Sequence, residues 1–257
     1  MNNELVSIIT PSYNCEKYIS DCIESMIAQT YTNWELLITD DCSKDNSVRV
    51  IQQYVDKDPR IHLFVLKENS GAAVARNNSI KEAKGRYIAF CDSDDFWMPN
   101  KLEKQLEFMR QKDCALSYTS IMLCNEKGEI TGIEVAPSTH TFHQSWCDNK
   151  VGTTAAIYDT AKLGKVYMPL LRKRQDWGLF MTLLKTCKIA YGMKLPLCYY
   201  RMGQESLSKN KKSLVKYNIA VYEVVLGWSH IKSWLFFLAV YMPCFLYKKW
   251  LKHQYNK

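Results

Sequence analysis

In the first hundred residues, short apolar runs alternate with stretches of helical periodicity, and each run ends in a polar, turn-forming cluster. Leu5–Thr10 stops at Pro11, and Cys15–Gln29 then sets Ile19, Cys22, Ile23, Met26 and Ile27 at helical spacing. Glu35–Thr39 runs into DDCSKDN, and Asn46–Asp56 carries Val48, Ile51 and Val55 on one side. Ile61–Leu66 and Ala72–Lys84 repeat the pair, with Gly85 closing the helix, and Arg86–Phe90 enters CDSDD. After Pro99, Leu102, Leu106 and Met109 mark a further helix. Strand–helix–strand alternation with short connections predicts right-handed βαβ units, hence an α/β fold with a mostly parallel, Rossmann-like sheet flanked by helices. In such a sheet the ligand belongs at the carboxyl ends of the strands. Those ends are Pro11–Asn14, Asp40–Asp45 and Asp92–Asp95.

Beyond residue 115 the periodicity weakens. Strands are expected at Ala115–Ser120 and Ala155–Tyr158, and a helix at Asp176–Thr186. No repeat or low-complexity linker divides the chain of 257 residues, so one domain over 1–208 with a C-terminal appendage over 209–257 is expected. Within the domain, 1–112 and 113–208 are read as its two halves.

Charge separates the regions further. Residues 1–128 carry a net −4 and residues 129–257 a net +12, so the second half expects an anionic partner. Ser233–Tyr247 is fifteen residues without a charge, flanked by Lys248, Lys249 and Lys252 and preceded by the lysines at 209, 211, 212 and 216. A bilayer-spanning helix needs roughly 20 apolar residues, and this run is shorter and contains Pro243. Its aromatic and lysine flanks suit a helix lying in the membrane interface. The other reading is an apolar helix packed on the domain itself.

Several chemistries are excluded. Neither G-x-G-x-x-G nor a P-loop occurs, nor a G-x-S-x-G elbow. The ten cysteines form no C-x-x-C pair and several lie in apolar runs, as expected of reduced, buried thiols. The start, MNNELVSIIT, does not read as a secretory signal, so a cytoplasmic address is expected.

The cluster Asp92-Ser93-Asp94-Asp95 places three carboxylates directly after a buried run. Such a cluster is either a solvated turn or the oxygen ligands of a hard divalent cation. A second acidic turn at Asp40-Asp41, on another strand end, favours the cation.

The blocks VSIITPSYNCEKYI, WELLITDDCSKDN, NSGAAVARNNSIKEAKGRYIAFCDSDDFW and RKRQDWGLF follow one another in an order and spacing that resemble the inverting, nucleotide-sugar-dependent glycosyltransferase family 2. The second half (VYMPLLRKRQDW, CYYRMGQESLSKNK) is similar to the bacterial subgroup that includes teichuronic-acid and O-antigen glycosyltransferases, and the likeness spans roughly residues 5–212. The resemblance implies a GT-A fold and transfer of a hexose from a UDP-sugar, with Mn²⁺ or Mg²⁺, to a lipid-linked (polyprenyl diphosphate) sugar. It implies that Pro11, Tyr13 and Asn14 line the nucleotide pocket and that Asp41 accepts the uracil N–H. Arg76 contacts the nucleotide, Asp92 faces the ribose with Ser93 beside it, and Asp94 holds the metal. Asp176, in Q-D-W, matches the catalytic base. Arg174, Trp177 and Arg201 are candidates for acceptor or phosphate contacts. Cys42 stands where the family usually has glycine, which leaves the shape of that turn open.

Other roles fit the same residue types. Pro11 also suits a strand end, Asn14 and Asp176 a helix cap, and Arg76 a surface ion pair. Two other functions match parts of the pattern. A sugar-phosphate nucleotidyltransferase is expected to carry a Gly-rich N-terminal loop with a basic residue, and VSIITPSYN has neither. A non-enzymatic basic protein, peripheral on the membrane or bound to nucleic acid, leaves the acidic cluster unexplained, and no RNA-reading motif is present, so no nucleic-acid partner is expected. The expected site of action is the inner face of the bacterial cell membrane.

Overall fold

The computed structural model describes residues 4–203 and 211–255. The first half is built from β1 (Val6–Ser12), α1 (Ile19–Ile27), β2 (Trp34–Asp40), α2 (Ser47–Val55), β3 (Ile61–Val65), α3 (Ala72–Glu82) and β4 (Tyr87–Phe90). All seven residues of β1 and of β2 are buried, which is why both read as apolar runs rather than as alternating strands. Helix α1 turns Ile19, Cys22, Ile23 and Met26 inward; Cys15–Tyr18, expected to be helical, instead forms the turn that leads into it.

The second half runs β5 (Phe96–Trp97), α4 (Lys101–Lys112), β6 (Leu116–Cys124), β7 (Ile130–Glu134), β8 (Thr139–Thr141), β9 (Ile157–Asp159), α5 (Thr160–Leu163), α6 (Gln175–Cys187) and β10 (Ile189–Arg201). The strands form one sheet in the order β3-β2-β1-β4-β9-β6-β10-β5, with β7 on β6 and β8 on β10. The first four strands are parallel, as expected. The second half is mixed: β10 runs parallel to β6, whereas β9, β5, β7 and β8 pair antiparallel. Strand β10 is hidden in the sequence because Gly192 and Pro196 interrupt it, and the register against β6 shifts on both sides of Pro196.

Two cores result. The larger joins the sheet to α1, α3, α4 and α6 through residues such as Ile8, Ile23, Leu106, Phe90 and Phe180. The smaller gathers Trp177 and Met181 of α6 against Ile219, Tyr222 and Val225 of α7 (Lys211–Leu226), with Phe237. Helix α8 (His230–Phe236), a π-type turn (Phe237–Tyr241) and α9 (Met242–Tyr255) are continuous. The widened turn lies where the ring of Pro243 meets the preceding turn of helix. His230–Leu251 is 22 residues and, by length and composition, long and apolar enough to cross a membrane. The expectation drawn from the fifteen uncharged residues, a helix too short to span, is corrected here: the helix extends past both ends of that run. The boundary at 208/209 and Lys209 lie outside the described residues.

Candidate active site

Three loops meet at the carboxyl ends of β1, β2 and β4. The first two are laced together by backbone donors. Asp40, fully buried, accepts from the Ser12 hydroxyl at 2.9 Å, from the Ser43 N–H at 2.8 Å and from the Ser43 hydroxyl. Asn14, at φ 47°, donates its N–H to Ser43 Oγ at 2.9 Å and accepts the Lys44 N–H at 2.8 Å. Asn14 thus fastens the neighbouring loop; the residue before α1 is Tyr18. Pro11, buried, lies within β1, and Tyr13 is half exposed beside it. Cys42 sits in the left-handed region at φ 62°, the conformation that glycine adopts without strain.

Asp41 is 3% exposed and holds the entrance to α3: its Oδ1 accepts the Ser70 N–H at 2.6 Å and its Oδ2 the Gly71 N–H at 2.8 Å. Gly71 has φ 96°, and an added Cβ would lie 3.3 Å from Arg172 Nη1, so glycine allows the close approach of the loop that leads to α6. That loop is held to α3 by Asn77, which accepts the Met168 N–H at 2.7 Å and donates to the Met168 carbonyl at 2.9 Å.

The acidic turn follows β4. Asp92 is paired with Arg76 of α3, and the arginine is buried, not on the surface. Burial and the charge of Asp92 push the Asp94 carboxyl up to about 6, against the opposing pull of Arg201 and Arg76. Asp95 is buried, accepts the Arg201 N–H at 3.0 Å and is raised well above the carboxylate range by burial and by its two acidic neighbours. Ser93 stands next to the Cys15 thiol. Arg201, at the end of β10, donates to Asp21 at 2.8 Å and lies over Tyr18 and Phe96, while its Nε and Nη1 are buried and have no hydrogen-bond partner among the described residues.

Asp176 lies in the first turn of α6, partly buried, with the amide of Asn149 at 3.5 Å. Tyr200 relates it to the acidic turn. The phenol is pushed up to about 12 by burial and then by Asp95, Asp92, Asp94 and Asp176 together. All four carboxylates lie within electrostatic reach of that hydroxyl. Tyr200 was not singled out from the sequence; its only local signal is its place in CYYR. Arg174, at φ 66°, precedes α6 with its guanidinium 5.6 Å from the Trp177 ring and its Nε buried, with no hydrogen-bond partner among the described residues. Trp177 is a correction. It is 2% exposed, donates its indole N–H to the Ser145 carbonyl at 2.6 Å and packs on Tyr222 and Tyr241, so it is a wall of the smaller core and not an acceptor contact.

The donor set fits a hard cation. Asp94 is an elevated carboxylate in a polar turn, the state that a bound positive charge relieves. Among the described residues no group of three or more His, Cys, Asp or Glu side chains forms a metal cage. A cation held here takes its remaining ligands from water or from the oxygens of a bound anion.

The model of Glycosyl transferase family 2 matches residues 7–153. TuaG of Bacillus subtilis, named for teichuronic acid biosynthesis, is 43% identical over 222 residues, covering 86% of this chain and 88% of TuaG. WfgD of Escherichia coli, a UDP-Glc:alpha-D-GlcNAc-diphosphoundecaprenol beta-1,3-glucosyltransferase, is 39% identical over 212 residues, 82% of either chain. Among solved structures, S. aureus TarS 1-349 in complex with UDP-GlcNAc superposes with a TM-score of 0.68 at 20% identity, covering 89% of this chain and 69% of that one. The mannosyltransferase PcManGT of Pyrobaculum calidifontis, with GDP-Man and Mn²⁺, gives 0.63 at 13% identity, covering 87% and 64%.

Proposed function

The chain belongs to glycosyl transferase family 2, with the α/β GT-A fold of that family, and from that premise we propose that it moves a hexose from a UDP-sugar to a hydroxyl of a lipid-linked sugar in bacterial surface polysaccharide biosynthesis. The observation that supports this reading is the bridging position of α3: its Arg76 pairs with Asp92 in the acidic turn, and its Asn77 holds Met168 in the loop that leads to Asp176. The relatives named for teichuronic acid and for a diphosphoundecaprenol-linked acceptor support the substrate class.

Donor recognition follows from the three loops. Pro11, Tyr13 and Asn14 line the nucleoside side. Asp41 takes the uracil N–H; a carboxylate offers about four acceptor positions, so the two loop N–H groups do not exhaust it. Arg76 and Ser93 bind the nucleotide, and Asp92 faces the ribose. Asp94 holds Mn²⁺ or Mg²⁺, which when bound supplies positive charge for the departing diphosphate. Arg201 meets phosphate, and Arg174 stands on the acceptor side.

Asp176 performs the proton transfer. As the acceptor oxygen forms its bond to C1 of the sugar, the hydroxyl proton passes to the Asp176 carboxylate and the C1–O bond to UDP breaks, its electron pair leaving on the phosphate oxygen. Attack opposite the leaving group inverts the anomeric centre, so an α-linked donor gives a β-glycoside. No second nucleophilic carboxylate is needed, unlike in a retaining glycosidase.

Residues 1–208 form the transferase domain in this reading, with 1–112 holding the donor and 113–208 the acceptor. Residues 209–257 are the membrane-associating part at the cytoplasmic face. Phe237 is buried on the domain, Tyr241 lies on Trp177 and Lys248 bonds to Asp148, so one side of the helix is seated along the protein. Leu235, Leu238, Phe245, Leu246 and Trp250 are exposed on it. That arrangement supports a helix lying in the interface over one that spans the bilayer.

The test is UDP release from UDP-glucose, UDP-galactose and UDP-N-acetylglucosamine, each with Mn²⁺ and a GlcNAc-diphosphate lipid. One donor is turned over only with acceptor present; release from none of them rejects the reading.

A further inference from the structure

The C-terminal helices reach the loop that faces Asp176. Residues 147–151 follow the 3-10 turn Gln144–Trp146, and turn and loop are held from the C-terminal side at several points. Lys248 Nζ of α9 donates to Asp148 Oδ2 at 2.8 Å, and the Tyr222 hydroxyl of α7 donates to the Trp146 carbonyl at 2.7 Å. The Trp146 ring packs edge-on against Trp228 and Phe236, and the Cys147 thiol meets that of Cys244. From within the domain, His140 adds a contact to the Asp148 carbonyl at 3.2 Å.

The next residue faces the base. Asn149 accepts the Val151 N–H on its Oδ1 at 3.2 Å, which leaves its amide N–H₂ directed at Asp176 Oδ2, 3.5 Å away. We propose that Asn149 is a positioning residue for Asp176, and that the C-terminal helix, through Lys248, sets the loop that carries it. The proposal rests on Asp176 being the general base. A carboxylate in the first turn of a helix has several rotamers, and proton transfer needs one of them within hydrogen-bond reach of the acceptor hydroxyl. A donor fixed to a loop selects that rotamer. At 3.5 Å the contact is long, so the carboxylate keeps its electron pairs for the incoming proton. The ion pair of Lys248, half exposed, adds little to folding stability, so its loss registers in turnover and not in the fold.

The experiment uses the full chain with UDP-glucose and GlcNAc-diphosphoundecaprenol, or the donor selected in the panel above. Asn149→Ala lowers kcat about tenfold with donor KM and UDP affinity unchanged. Lys248→Met lowers kcat about threefold in the same way, and Lys248→Arg restores it. The double variant is no slower than Asn149→Ala alone, because both changes remove one arrangement. Wild-type kcat in Asn149→Ala, or losses that multiply in the double variant, overturns the proposal. Asp176→Asn serves as control. If it is inactive while Asn149→Ala is fully active, only this proposal fails; if it turns over normally, the assignment of the base fails and the proposal with it.

Discussion

Arg76 and Asp92 form an ion pair in which 7% of the arginine side chain and 26% of the aspartate side chain are exposed. The pair settles how charge is divided in the acidic turn. Asp92 has its counter-ion within the protein, whereas Asp94, two residues on, forms no ion pair among the described residues and is pushed up to about 6 by burial and by the charge of Asp92. In the proposed reading Asp94 is the carboxylate that holds the cation.

Asp94→Ala is therefore expected to weaken UDP-sugar binding in metal and to lower turnover by roughly 10²–10³, the donor affinity no longer responding to chelator. Asp176→Asn lowers kcat by about 10²–10⁴ and leaves UDP affinity intact. Titration calorimetry with UDP beside steady-state rates distinguishes the two; full activity in chelator contradicts the first assignment, and retained turnover in Asp176→Asn the second.

Asp41 both holds the α3 entrance and, in the proposed reading, binds uracil. Asp41→Ala removes a charge-assisted hydrogen bond of about 1.5–3 kcal/mol, so UDP and UDP-sugar affinity fall together by about 10–100-fold. Unchanged UDP affinity in a folded Asp41→Ala protein counts against the uracil contact.

The membrane contact is tested without stripping the smaller core. Leu235 and Leu238 are 63% and 59% exposed, so the double change Leu235→Glu, Leu238→Glu spares the Phe237 and Tyr241 contacts. It removes about 3 kcal/mol of apolar burial in lipid, and partitioning onto vesicles containing phosphatidylglycerol drops by about a hundredfold. Undiminished partitioning rejects the interfacial helix.

Lys101 is wholly buried, donates to Gln105 Oε1 at 2.9 Å and lies 3.9 Å from the Trp97 ring centre. Burial lowers it from 10.5 to about 8, with no carboxylate among the groups that oppose the shift. The unfolded chain keeps this proton between pH 8 and 10.5 while the folded chain has released it, so its contribution to stability rises with pH across that window and is unfavourable below it. The full effect is about 3 kcal/mol. Lys101→Met is more stable than wild type at pH 7, and the difference narrows toward pH 10 in urea unfolding. A difference independent of pH sinks the assignment.

Cys42→Gly relieves a left-handed non-glycine residue and raises stability by about 0.5–1 kcal/mol after the added entropy of the unfolded chain. A differential scanning measurement with a lower Tm shows that the thiol contributes more than its backbone costs.

What the sequence determined by itself lies in the first hundred residues. There the apolar runs, the helical spacing and the Pro, Gly and Asp clusters are local signals, and they located β1 to β4, α1 to α4 and the three loops at the strand ends. The same signals failed for β10, because Gly192 and Pro196 break its pattern and its pairing with β6 and β5 is made only across long stretches of chain. Residue type left Asn14, Arg76 and Trp177 open. Tertiary structure decided that Asn14 fastens a neighbouring loop, that Arg76 is buried against Asp92, and that Trp177 faces a second core. Tyr200 and Asn149 became legible only there too, since each takes its meaning from carboxylates brought near by folding, and burial and charge proximity are properties of packed neighbours that no local spacing encodes.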